Sequence, residues 1–428
     1  MSSARRISAL AVVLLVAGVA TACSSSGNSS GTSSPPASPA AATSAATGST
    51  ATGSPVTLMV LNTENGPEAN SPEDVAGAQA AALAINASGG INGHQVKIIS
   101  CNDQFNPNVA AQCGRTAAAD HVVATIGSQS TEGASVDPVL QSENIPQVGN
   151  LPISPIDNTS SMSFPLVSGA FFNYPGQAIE MIKYLHEKRI VIAEYNLAAV
   201  EAIGTVVKKA ITAAGGTLAA TVLMPTAATD MTSFAAQIAD AHAQGVDVIS
   251  SPQACLALLK AARQLGSQAT FSNIDGVVSH QELQSAGSLA NGMAIVGYLP
   301  PVSASNLIPG VANYVKQMAA ASAAGIPNAS GLNLDPVSEQ GWLSVYAVQA
   351  VAKSISGPIT NLTLLSALRQ AKGLNIQGIV TNWSPSVPGP TGFPRIFNTS
   401  VWMTTVKNST PVLLQNAPIN VASIIGLK

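Results

Sequence analysis

Hydrophobic and polar positions change period repeatedly after residue 55, and each change predicts a new element. Short apolar runs predict strands at residues 56–61, 96–100, 122–126 and 146–149. Apolar residues spaced three and four apart predict helices between them, at 107–119, at 132–142 and after Ser71-Pro72, a pair typical of a helix start. Because parallel strands need crossover helices, this alternation predicts parallel sheets.

The alternation of strands and helices returns from residue 174 onward. Helices are predicted at 175–187, 200–214, 234–244 and 255–265, and strands at 190–194, 217–223, 246–250 and 270–272. Three further helices are expected at 311–323, 339–356 and 362–372, followed by irregular strands after 376. Sheets of this kind are covered by helices on both faces, so we expect an α/β fold with two doubly wound, Rossmann-like lobes.

The first 54 residues follow a different pattern. Two arginines precede an apolar run at 7–20 and then Thr21-Ala22-Cys23, an arrangement typical of a secretory signal. The run is shorter than the roughly 20 residues that span a membrane. The uncharged Ser/Gly/Thr/Ala/Asn/Pro tract that follows predicts a disordered tether. Residues 55–428 exceed what one hydrophobic core usually supports, so two domains are expected.

Composition and charge exclude several classes of protein. Charged residues make up only 9% of the chain and the net charge is −3, with no Lys/Arg run, so we expect no nucleic-acid binding. We find no HExxH, P-loop, GxGxxG or CxxC motif, and the five histidines share no metal-ligand spacing. We therefore expect no enzyme activity, no catalytic residues, no metal and no cofactor, with an exported hydrolase as a remote alternative.

The cysteines indicate an oxidising compartment. Disulfides persist in exported proteins, so we predict that Cys101 and Cys113 pair. Cys255 lies in an apolar helical pattern and is expected to be a buried thiol.

Several motifs follow one another in the order found in one known family. They are NASGGING at 86–93, VATIGS at 123–128, ENIP at 143–146, KRIVI at 188–192 and FSNIDG at 271–276. From residue 56 onward the chain resembles type I periplasmic solute-binding proteins, in particular the branched-chain amino-acid-binding branch. Residues 21–23 resemble the lipobox of bacterial lipoproteins, although Ala20 stands where Leu is usual. Plain secretion is the alternative to lipidation.

The resemblance implies a two-lobed clamp with three hinge crossings, near residues 170–173, 299–301 and 374–378. We assign 1–22 to a lipoprotein signal peptide, 23–54 to the tether, 55–171 with 301–375 to lobe 1, and 172–300 with 376–428 to lobe 2. The protein would be a monomer held on the outer face of the cell membrane by a lipid on Cys23. It would deliver a small solute to an ABC permease, or would act as a sensor for a membrane receptor.

The resemblance also implies ligand contacts in lobe 1. In the family, the loop after the third strand binds a carboxylate, which predicts contacts by Ser128, Gln129, Ser130 and Thr131; an ordinary helix cap is the alternative. Asn150 and Ser154, in the following loop, are further candidates, and turn chemistry is the alternative for them.

Lobe 2 departs from the family pattern. Asp275 stands at the family's acidic position and is expected to pair with a ligand ammonium, unless it belongs to an ordinary Asp-Gly turn. The tyrosine that the family usually has near position 199 is missing from that position. Gln253 is a candidate contact, and Phe171, Phe172 and Tyr174 either form a replacement wall or pack in the hinge. The ligand is therefore expected to be an amino acid, an amide or a small carboxylate.

Overall fold

The computed structural model describes residues 53–66 and 70–428. The predicted signal peptide, Cys23 and all but the end of the predicted tether lie outside the described residues. Within the described part of the chain, no helix combines the length and the apolar character needed to cross a membrane.

The first half of the chain forms a five-stranded sheet. Its strands have the order β2-β1-β3-β4-β5, and every neighbouring pair is parallel. The elements are β1 (Gly53–Asn62), α1 (Glu73–Ala87), β2 (His94–Asn102), α2 (Pro107–Ala119), β3 (Ala124–Gln129), α3 (Gly133–Ser142), β4 (Gln147–Val148) and β5 (Ser163–Phe164).

The second half of the chain begins a larger sheet in which parallel strands alternate with helices. Five of its strands have the order β7-β6-β8-β9-β10 and are all parallel. The elements are α4 (Ala170–Lys183), β6 (Arg189–Tyr195), α5 (Ala198–Ala214), β7 (Thr217–Met224), α6 (Thr232–Asp240), β8 (Gly245–Ile249), α7 (Pro252–Gln264), β9 (Thr270–Ile274), α8 (His280–Ala286) and β10 (Ala294–Gly297).

The last third returns to the first sheet with helices and then completes the second sheet. Strand β13 pairs antiparallel with β10, β14 and β15. The elements are α9 (Pro309–Ala323), α10 (Pro336–Ala352), α11 (Asn361–Leu368), β11 (Leu374–Ile376), β12 (Val380–Trp383), β13 (Ser400–Lys407), β14 (Thr410–Leu413), β15 (Ile419–Asn420) and α12 (Val421–Ile424). The predicted α/β class with parallel-rich sheets is confirmed.

Lobe boundaries stay a prediction. Residues 374–378, one of the expected crossings, lie in the antiparallel hairpin of β11 and β12. Helix α10, which packs on α1, also contacts β11. The next strand along the chain, β13, belongs to the second sheet.

Helix α4 begins earlier than the sequence predicts. The pattern placed its start at Pro175, since proline favours the first turn. In the structure Gly169 has a φ of +71°, a conformation that glycine tolerates best, and the helix begins at the next residue. The N–H of Ala170 donates to the carbonyl of Pro152 at 3.1 Å, which ties this additional turn to the first sheet's loops.

Close backbone packing joins α1 to α10. A Cβ on Gly77 would overlap the carbonyl oxygen of Ser338, so only glycine allows the two helices to approach so closely. Nearly all of α10 is buried, including Trp342, whose ring lies 4.7 Å from that of Tyr346. The close approach of Gly77 to Ser338 fixes where the N-terminus of α10 lies relative to the start of α1.

Candidate functional site

A cavity of about 1000 Å³ opens between the carboxyl ends of the two sheets. The loops after β1, β3 and β4 line one side of it, and the loops after β6, β8 and β9 line the other. The first turn of α4 and residues 328–335 complete the lining. Open parallel sheets bind ligands at this end, because the chain leaves each strand there and the loops converge.

On the first lobe's side, three of the predicted contacts line the cavity. They are Gln129, Thr131 and Ser154. Ser154 is held in place by Asp157, whose Oδ2 accepts from the Ser154 N–H at 2.8 Å and from its Oγ at 3.0 Å. Burial raises the pKa of Asp157 to about 7, although these hydrogen bonds oppose the rise.

The other three predicted contacts of this lobe do not line the cavity. Ser128 is buried, and its Oγ has no hydrogen-bond partner among the described residues. Ser130 donates to the carboxylate of Asp103, and Asn150 donates from Nδ2 to the Oγ of Ser163 at 3.0 Å. Ser130 and Asn150 therefore hold the shape of the two loops in this structure.

On the second lobe's side, the wall contains an aromatic residue that the sequence analysis missed. Tyr195, the last residue of β6, lines the cavity, and its hydroxyl lies 2.7 Å from the Oγ of Ser251. The family pattern places a tyrosine nearer to Ala199, whereas the position of Tyr195 directly after the predicted strand 190–194 is the signal that could have identified it. The predicted contact Gln253 also lines this wall.

The start of α4 contributes two of the three aromatic residues that were predicted there as a replacement wall. Phe171 lines the cavity together with Asn173 and Tyr174. Phe172 is fully buried, and its ring lies 5.2 Å from that of Phe393. Phe172 therefore packs at the junction, the alternative that the sequence analysis left open for it.

The predicted acidic contact lies beneath the cavity wall. Asp275 is fully buried and is not part of the lining, whereas Gly276, the next residue, is. Its Oδ1 lies 3.1 Å from the Nε2 of His280. Burial acts to lower the pKa of His280, but the charge and hydrogen bond of Asp275, together with the charges of Asp335 and Glu73, outweigh burial and raise it to about 9. A charged histidine thus already pairs with the carboxylate at neutral pH.

Among the described residues, two hydrogen bonds join the two sides of the cavity. The Nε2 of Gln129 donates to the hydroxyl of Tyr298 at 3.3 Å, and the Nε2 of Gln281 donates to the Oδ1 of Asn333 at 3.0 Å. Gln129 therefore belongs both to the cavity wall and to the contact between the lobes.

The charged groups that line the cavity are all acidic. Within residues 53–66 and 70–428, the lining includes three carboxyls and no Lys, Arg or His side chain. One of the three, Glu282, accepts from the N–H and Oγ of Ser279 at 2.9 Å each and from the Nε2 of Gln253 at 3.1 Å. The other two, Glu73 and Asp335, contact each other, and burial raises the pKa of both.

The sequence of residues 55–395 matches a family described as periplasmic binding protein. The chain belongs to the periplasmic binding protein family. No curated protein sequence matches the chain.

Solved structures of periplasmic binding proteins share this fold. A possible leucine/isoleucine/valine-binding protein from Rhodopirellula baltica has 17% identity and a TM-score of 0.71, covering 87% of this chain and 98% of its own. A leucine-binding protein from Thermotoga maritima has 16% identity and a TM-score of 0.67, covering 85% and 99%. The predicted type I, leucine/isoleucine/valine-binding-like family is confirmed.

A third periplasmic binding protein was solved with an aromatic acid. It is an ABC-transporter solute-binding protein from R. palustris in complex with benzoate, with 18% identity and a TM-score of 0.64, covering 85% of this chain and 97% of its own. Proteins of this one fold therefore bind chemically different solutes, and the ligand has to be inferred from the cavity of this chain.

Proposed function

We propose that the protein is an exported, lipid-anchored solute-binding protein that captures a small polar solute between its lobes and delivers it to an ABC importer. The observation that carries this proposal is the cavity between the carboxyl ends of the two sheets, with both lobes contributing to its lining. Its size suits a small molecule, since ligand cavities span roughly 300–1000 Å³.

The proposed contacts are the four predicted residues in the lining, namely Gln129, Thr131, Ser154 and Gln253. Their amide and hydroxyl groups can both donate and accept hydrogen bonds. Around them, Phe171, Tyr195 and several aliphatic side chains provide apolar surface. This combination suits an amino acid, an amide or another small polar metabolite with an apolar portion.

Isothermal calorimetry tests the binding function. The purified protein is unfolded in guanidinium without a reductant and refolded, which removes any copurified solute and keeps disulfides intact. We expect saturable binding by at least one member of a panel of amino acids, amides, amines and small carboxylates. Thr131→Val should weaken that binding, while Thr205→Val, on the exposed face of α5, should not. A panel in which nothing binds contradicts the proposed function.

Anchoring and transport need separate tests. We expect Cys23→Ala to release the protein from the membrane fraction into the medium without changing its affinity for the solute. A variant that still sediments with membranes contradicts lipidation at Cys23. Deleting the gene should reduce cellular uptake of the radiolabelled solute, and unchanged uptake favours the sensor role instead.

A further inference from the structure

The cavity wall contains two buried carboxyl groups that have no cationic partner in the protein. Glu73, at the start of α1, is 7% exposed, and Asp335, which precedes α10, is 3% exposed; both line the cavity. Among the described residues, the Glu73 carboxyl meets only its own backbone N–H and the Asp335 carboxyl. Burying a carboxylate without a cationic partner is energetically costly. The described residues supply no such partner for this pair.

Asp335 is only partly occupied by its structural role. Its Oδ1 accepts from the N–H of Val337 at 3.1 Å and from the N–H of Ser338 at 3.0 Å, which caps α10. Both of these hydrogen bonds use Oδ1 of Asp335, and neither uses Oδ2. One oxygen of Asp335 therefore anchors the helix, while the other remains available beside Glu73.

The nearby histidine does not neutralise this pair. His280 acts on both carboxyls from a distance, but its Nε2 pairs with Asp275 at 3.1 Å. Asp74 and Glu339, also buried on α1 and α10, are acids as well and supply no cation; burial raises the pKa of both. Asp275, the expected ammonium contact, already has a cation, whereas Glu73 and Asp335 have none.

We propose that Glu73 and Asp335 bind the cationic group of the solute, which therefore carries an ammonium, amidinium or guanidinium group. This inference rests on the proposed solute-binding function and narrows its ligand class. A nitrogen cation can donate charge-assisted hydrogen bonds to both carboxyls at once. It also offsets the burial that raises the pKa of both groups and the repulsion by Asp335 that adds to the rise at Glu73. A metal ion is a poorer occupant, since no three His, Cys, Asp or Glu groups of the described residues are placed to hold one.

Three probes with one carbon skeleton test the inference. L-Leucine carries an ammonium and a carboxylate, 3-methylbutylamine only the ammonium, and 4-methylpentanoate only the carboxylate. They are added to a wider panel of amino acids, amines and carboxylates that includes benzoate, screened by thermal shift and measured by calorimetry. We expect every binder to carry a cationic group. A solute without one that binds as tightly as the best amine overturns the inference and leaves the proposed function intact.

Charge-removing variants assign the contact to specific residues. Glu73→Gln and Asp335→Asn should each weaken binding of the cationic probe by roughly 30-fold or more, as loss of one member of a buried charged pair does. Asparagine caps a helix about as well as aspartate, so the second variant should fold, which thermal unfolding checks. Glu201→Gln, an exposed position on α5, removes the same charge and should have no effect.

Two outcomes of the variant experiment contradict the assignment. If Asp275→Asn abolishes binding of the cationic probe while Glu73→Gln and Asp335→Asn do not, the cation binds elsewhere. If Glu73→Gln, Asp335→Asn and Asp275→Asn lower the affinity by the same factor as Glu201→Gln does, the carboxyls act on the solute through long-range electrostatics and not through a direct contact. A panel in which no solute binds contradicts the proposed function itself, and the inference with it.

Discussion

Glu180 of α4 is a carboxyl group buried in the second lobe, and its ionisation makes stability depend on pH. The side chain is fully buried, and neither oxygen has a hydrogen-bond partner of good geometry among the described residues. Burial raises the pKa of Glu180 well above its usual value of 4.5, the Thr404 N–H lowers it in part, and Glu187 adds to the rise. The folded protein therefore holds this proton up to a higher pH than the unfolded chain does.

The sign and size of the effect follow from this raised pKa. Because the folded pKa exceeds the unfolded one, the stability contribution is fully present below pH 4.5 and is lost as the pH rises toward the folded pKa. Between pH 4.5 and the folded pKa, folding requires uptake of a proton, at a cost of about 1.4 kcal/mol for each pH unit.

Glu180→Gln removes the titration and keeps the shape of the side chain. We expect the free energy of unfolding of the variant, relative to the parent protein, to rise by about 1.4 kcal/mol per pH unit between pH 5 and 7. The slope is the quantity to measure, because the cost of burying the amide is the same at every pH. Urea unfolding followed by tryptophan fluorescence at pH 5, 6 and 7 gives it.

The exposed Glu143 provides the control, since Glu143→Gln should leave the pH dependence unchanged. Parallel stability curves for the parent protein and Glu180→Gln would refute the reasoning. They would mean that Glu180 ionises in the folded protein as easily as in the unfolded chain, because water or a hydrogen-bond donor reaches its carboxylate.

Three further predictions concern packing, cross-linking and the cavity wall. Gly77→Ala should lower the free energy of unfolding by about 1–3 kcal/mol, as measured by urea titration, because the methyl group of alanine would push α1 away from α10. This loss outweighs the higher helix propensity of alanine. Replacing both Cys101 and Cys113, which form a disulfide, by serine should lower the free energy of unfolding by about 3 kcal/mol in the same assay, and an unchanged urea midpoint would contradict this. For any solute that binds, Tyr195→Ala should weaken affinity about tenfold in calorimetry and Tyr195→Phe much less, whereas equal losses would assign the effect to the hydroxyl.

Element type and order could be predicted from the sequence to a large extent. Strands buried on both faces are continuous apolar runs, and Gly89-Gly90 and Ser71-Pro72 mark helix ends through local backbone chemistry. Strands β5 and β10 were not predicted, because they have only two and four residues and pairing within the sheet defines them. The start of α4 was misplaced, since Gly169 acts through its conformation and a contact with a distant loop.

The sequence by itself determined that the loops after the parallel strands form the cavity, because the carboxyl ends of parallel strands lie at one edge of a sheet. Only the tertiary structure decided which side chain of each loop lines it. Thr131 does so and Ser130 does not, because loops have no periodicity that fixes side-chain direction. Phe171 does so and Phe172 does not, because the contact of Ala170 with a distant loop makes α4 begin before its predicted start. Likewise, the contact of Glu73 with Asp335 depends on how α1 and α10 pack, and packing between elements distant in sequence leaves no local signal.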